Sequence, residues 1–254
     1  MTVSNRFERT PWTIIARASA GDEAVRRQAL DAFARMYRPA CEAFVGAWWK
    51  NAASQHRISA ELADEITQGF FVEVVLGRDL LATASPEKGR LRTLLCRALE
   101  NYTRDRWRRR MAREQHESQA ARTNGASDQA NGRGTHDAVR NFDAAWARAQ
   151  LTEALARTRE RCLTESQRQG WALFERLVLL PAVYGTERPE MRDAVRETGT
   201  PDAARGHVLL RETRMRVLQA LEEVVSETID HPGDFAGEIA YIRKLLADGV
   251  MARG

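Results

Sequence analysis

Arg90, Arg97, Arg104 and Arg108 fall along one line of a helix drawn at 100° per residue, with Thr93 and Trp107 farther round. Guanidinium groups in a row can bond phosphate oxygens bidentately, and an indole can stack on an unpaired base. Between Arg97 and Arg113 seven arginines stand against Glu100 and Asp105, an excess of five charges where the whole chain carries +4. A solvated basic face with Trp107 packed on a neighbour is equally compatible with this spacing. Upstream the balance reverses: Glu61, Asp64, Glu65, Glu73 and Asp79 face one Arg78, which points to a second, differently charged partner. A third group, Arg205, His207, Arg211 and Arg214, sits on a long helical stretch preceded by a short helix and a turn at Gly199. Such a unit can lay its second helix in a DNA major groove, although short helix, turn and long helix recur in any α-bundle.

The elements that must position these residues read as helices. Leu30, Phe33, Tyr37, Cys41, Phe44 and Trp48 recur at three- and four-residue steps. Leu62, Ile66, Phe70 and Val74 do the same in the next segment, with Ser59 placed as N-cap. Residues 82–89 read as a loop punctuated by Pro86 and Gly89, before a third helix carrying Leu91, Leu94, Leu95, Ala98 and Tyr102 to about Arg113. Residues 114–141 hold one large aliphatic, Val139, and read as a flexible linker. Helical periodicity resumes at Phe142 and Trp146 and continues through Trp171, Phe174 and Leu177, with Pro181 and Gly185 ending that helix. A short helix near 190–197 follows, then Thr200 as N-cap and Pro201 at the first position of a helix to about Thr228. A last helix ends near Ala247. No alternating strand pattern of useful length occurs. The expected class is all-α, with two helical domains joined by a linker.

Composition narrows the function. Cys41, Cys96 and Cys162 are far apart, which excludes a disulfide framework or zinc-finger spacing. His56, His116, His136, His207 and His231 show no ligand spacing, no glycine-rich phosphate loop occurs, and no catalytic constellation emerges. The expectation is a protein without enzymatic activity, metal or cofactor. No apolar run nears the ~18 residues of a membrane span, and the first 20 residues lack a signal-peptide pattern, so a cytoplasmic location is expected.

Several segments resemble the extracytoplasmic-function sigma factors of bacterial RNA polymerase, most closely a planctomycete-type branch. Ala63-Asp-Glu-Ile-Thr-Gln-Gly-Phe-Phe71 is similar to the acidic segment of sigma region 2. Pro86-Glu-Lys-Gly-Arg-Leu-Arg-Thr-Leu-Leu95 resembles the approach to its DNA-facing helix, and Trp107-Arg-Arg-Arg110 the basic end of that helix. Thr10-Pro-Trp-Thr-Ile-Ile15 looks like the branch's start. Phe142-Asp-Ala-Ala-Trp146 with Ala154-Leu155 resembles the opening of region 4, and His231-Pro-Gly-Asp-Phe the tail.

The resemblance implies an N-terminal extension (1–25), a region 2-like domain (26–113), the linker (114–141), a region 4-like helix-turn-helix domain (142–230) and a C-terminal helical tail (231–254). It implies that Asp64, Glu65, Gln68 and Phe71 dock on the β′ subunit of core polymerase. Ser85 and Lys88 in the loop, with Arg90, Arg92, Arg97, Arg104, Trp107 and Arg108, would then recognise and open the downstream promoter element. Arg205, His207, Arg211 and Arg214 would read the upstream element in duplex form, with the second domain touching the β subunit. An anti-sigma protein is a further implied partner. The chain departs from the family at Thr198, where a leucine is usual, at Arg205, where a buried valine usually closes the turn, and at Gly206, which costs a helix about 1 kcal/mol. A basic run after the DNA-facing helix is also missing. These departures motivate an alternative, a sigma-like adaptor that binds polymerase without reading promoters. An ordinary helix-turn-helix repressor would leave the acidic block and the Trp107 helix unexplained.

Overall fold

The computed structural model describes residues 22–52, 59–84, 91–119, 133–164, 167–227 and 235–251, and every regular element among them is helical. No helix among the described residues is long and apolar enough to cross a membrane. The chain divides into two compact units, Met1–Ala147 with Ile229–Asp234 and Arg148–Thr228 with Phe235–Gly254.

In the first unit, α1 (Glu23–Ala52) starts at Asp22, whose carboxylate accepts from the Ala24 amide at 2.9 Å. It buries Phe33, Tyr37, Cys41, Phe44 and Trp48 of the stripe that the spacing predicts, leaves Leu30 half-buried, and buries Trp49 as well. Pro39 lies inside α1 at an exposed position, so the backbone bond it removes lies on the solvent side. Ser59 caps α2 (Ala60–Phe70), its hydroxyl accepting from the Leu62 amide at 3.2 Å. The helix then widens over Phe71–Leu76, where the Gly77 amide reaches five residues back to Val72 at 3.0 Å. A short 3₁₀ turn, Leu80–Thr83, buries Leu81. Helix α3 (Leu91–Gln119) faces the core with Leu91, Leu95, Leu99 and Tyr102.

Helix α4 (Arg133–Thr164) corrects the expected linker. Residues 114–119 continue α3 and 133–141 already belong to α4; only 120–132 lie outside the described residues. Ala138, Phe142, Trp146 and Ala147 are buried in the first unit, so the segment expected to open the second domain completes the first. The physical reason is that close packing uses alanines, which carry little hydropathy signal, and polar side chains with partners: the Thr135 hydroxyl donates to Glu100 at 2.9 Å.

The second unit packs α5 (Arg168–Phe174), α7 (Met191–Thr198) and α8 (Ala203–Ser226) around Cys162, Trp171, Phe174, Leu177, Val195, Leu209, Leu210 and Val217. After α5 the helix widens at Glu175–Leu179 and continues through Pro181 as α6 (Leu180–Tyr184). Pro181 therefore does not end it; Gly185 does, at φ 65°. Gly199, at φ 67°, makes the turn between α7 and α8. The cap of α8 is Asp202 rather than Thr200, its carboxylate accepting from the Arg205 amide at 2.7 Å. Thr200 is buried instead, its hydroxyl 2.9 Å from that of Thr198. Helix α9 (Phe235–Met251) follows, burying Ile239 and Ile242.

Candidate nucleic-acid interface

The arginines of α3 separate into two sets. Arg92 is held inside the first unit: its guanidinium bonds the Asp143 carboxylate at 3.0 Å and lies 4.2 Å from the Trp146 ring centre. Its side chain is only 11% exposed and that of Asp143 14%. Arg104 is paired with Glu100 one turn back, and its Nε is buried. Arg106 donates to the Tyr102 hydroxyl at 2.7 and 2.9 Å and pairs with Glu73 of the widened segment after α2. Arg110 lies 5.9 Å over the Trp49 ring.

Arg97, Arg108, Arg109 and Arg113 form the second set, exposed and without an ion pair among the described residues. With Thr93 and Asn101, which are also exposed, Arg97 and Arg108 make one outward line on α3, interrupted between Asn101 and Arg108 by the turn that carries the paired Arg104 and the exposed Asp105. Asn101 carries no charge, so a pattern of charges does not mark it. The line offers two cations, an amide and a hydroxyl, a donor-rich strip that suits phosphate oxygens and the edges of unpaired bases.

Trp107 is half-buried and meets Trp49 edge to face, ring centres 4.9 Å apart. The expected stacking platform is thus engaged within the unit, because Trp48 and Trp49 at the end of α1 supply an aromatic surface that the indole covers. Arg92 is corrected for a related reason. The resemblance implied a promoter-binding role for it, but Trp146 and Asp143 of α4 meet it inside the first unit. Ser85, Lys88 and Arg90 lie outside the described residues.

On α2 the acidic face is also divided. Asp64 is exposed but pairs with Arg38 of α1, which bonds Glu42 as well at 2.8 Å; these hydrogen bonds, that of Glu42 foremost, raise the Arg38 pKa. Glu65 and Gln68 are exposed. Phe71 is half-buried, its ring 6.3 Å from Phe33 and 5.8 Å from Phe70, which packs part of it into the aromatic core. The exposed apolar residues on this face are Val72 (55%) and Leu76 (41%), displaced from the simple helical register by the widened turn.

In the second unit Arg205, His207, Arg211 and Arg214 are all exposed on α8. The position buried against the turn is Gly206, one residue beyond Arg205. A Cβ there would lie 2.5 Å from Val195 Cγ1 and 2.9 Å from Met191 Sδ, so glycine is what lets α7 and α8 approach. Gly206, not Arg205, is thus the residue that closes the turn. Comparison of the chain with protein-family models, curated proteins and solved structures found no match.

Proposed function

We propose that the protein is a sigma-type transcription initiation factor, a non-catalytic subunit that joins core RNA polymerase and grips promoter DNA. The observation that carries this reading is the outward line Thr93, Arg97, Asn101 and Arg108 on α3, a helix anchored on its other face by Leu91, Leu95 and Leu99. In this mechanism Arg97 and Arg108 hold phosphates of the separated strands while Asn101 and Thr93 bond exposed base edges. Unstacking costs only a few kcal/mol per step, within reach of a few charge-assisted hydrogen bonds. Glu65, Gln68, Val72 and Leu76 form the docking face for polymerase, and α8 meets the duplex upstream.

The test is promoter-dependent transcription with purified core polymerase. Wild type directs specific initiation, and Arg97→Ala/Arg108→Ala abolishes it while binding to core is retained. Core binding without any promoter-specific initiation by wild type would contradict the proposal and favour the adaptor reading. That second reading draws on one observation: Arg92, Arg104 and Trp107 are all engaged internally, while Val72 and Leu76 stand open beside Glu65.

A further inference from the structure

The outermost line of α8 is not the set of basic residues that the spacing singled out. Gly206, Leu209, Leu210 and Thr213 are buried, which fixes the inward direction of the helix. At 100° per residue the opposite direction is occupied by Ala204, Val208, Arg211 and, two turns beyond Val208, Met215, all exposed. Arg205 and His207 project to the two sides. Val208 is 45% exposed, on the first turns of a helix that follows a tight turn.

Resting on the proposed DNA-reading role of this helix, we infer that Val208 is a specificity-determining residue that reads the C5-methyl group of a thymine in the major groove. The chemistry agrees with the placement. The thymine methyl is the one apolar feature among the base edges of the major groove, and small apolar side chains recognise it. Valine in a helix holds one χ1 rotamer, so its methyls are presented with little entropy to lose. Ala203 and Ala204 at the start of α8 leave room for the backbone to come close to the groove. Arg211 lies one turn farther on the same line, placed for a guanine edge, and Arg205 and Arg214 flank the line for phosphates. The exposed cations outnumber Glu212 around Val208, which favours a polyanionic occupant over an acidic-poor protein surface.

The experiment uses the full chain and a randomised duplex DNA pool, from which bound sequences are selected and each enriched thymine is replaced by deoxyuridine, which lacks only the methyl. The expected result is one thymine at which the replacement weakens wild-type binding by about fourfold, the effect of one buried methyl. In Val208→Ala the thymine-to-deoxyuridine ratio falls close to one at that position, whereas Met215→Ala, two turns on, keeps the wild-type ratio. Enriched duplexes with no deoxyuridine-sensitive position, or an unchanged ratio in Val208→Ala, would overturn the inference. So would a Val208→Ala variant that binds duplex as wild type does but loses core polymerase, since the face would then be a protein contact. A pool with no enrichment at all is a different failure, that of duplex reading by α8 itself, and removes the inference with it.

Discussion

The guanidinium of Arg92 lies 4.2 Å from the ring centre of Trp146 and bonds Asp143, a residue fifty-one positions away, at 3.0 Å. This contact makes the first part of α4 a structural member of the first unit, together with the buried Phe142 and Trp146. A domain ending at Arg113 would leave the partners of these rings exposed.

A fragment of residues 22–147 is therefore expected to unfold cooperatively in urea, and one of residues 22–113 to lack a cooperative transition. Within the full chain, Trp146→Ala is expected to destabilise the first unit by about 3–5 kcal/mol. Circular dichroism across a urea titration checks both. A stable 22–113 fragment would contradict the packing.

Gly206→Ala reverses the usual sign of a glycine-to-alanine change in a helix. Propensity favours alanine by about 1 kcal/mol, but the added methyl overlaps Val195 and Met191, and overpacking costs about 1–3 kcal/mol. The second unit is expected to lose stability and α8 its duplex affinity. A stabilised variant would show that α7 can retreat at no cost.

Burial pushes the Cys96 thiol up to about 12 and raises Cys41 well above its ordinary range. A solvated thiol titrates near 8.5, so unfolding releases protons above that pH. The stability tied to these thiols is intact below about pH 8.5 and is lost as pH rises toward 12. The urea midpoint is expected to fall between about pH 9 and 10.5, with a shallower slope in Cys96→Ala. Native-state labelling by a thiol reagent near neutral pH should be slow and should accelerate on unfolding, since all three cysteines are buried.

Val72 and Leu76 give the proposed polymerase-docking face its apolar part. Val72→Glu is expected to weaken association with core polymerase by roughly tenfold or more, as a charge at the centre of an apolar contact does, without moving the thermal midpoint. Fluorescence anisotropy with labelled protein measures the first and calorimetry the second.

The helices themselves were largely legible in the sequence. The α1 stripe from Phe33 to Trp48, the Ser59 cap and the Gly199 turn follow from periodicity and capping chemistry, which are local. Within 133–141 the helix rests on tertiary packing of small residues such as Ala138 and on polar pairs such as Thr135 with Glu100, which hydropathy spacing does not register. Asp202 rather than Thr200 caps α8 because both types cap well and the choice depends on Thr200 being buried beneath the turn. Charge spacing correctly put Arg97, Arg108, Arg205 and Arg211 outside, yet could not separate them from Arg104, whose partner Glu100 sits on the preceding turn; Arg92, which the resemblance suggested, is held by Asp143 of another helix. Val72, Asn101 and Val208 were passed over because none of them is charged.

The most direct measurement is permanganate reactivity of thymines in promoter fragments recovered by chromatin capture and bound by polymerase carrying this protein. Wild type is expected to render a short run of downstream thymines reactive. Arg97→Ala/Arg108→Ala should reduce that reactivity by roughly tenfold or more, the loss expected from charge-assisted contacts, while Arg92→Ala with comparable folding changes it little. Undiminished thymine reactivity in the Arg97/Arg108 double variant would contradict the account.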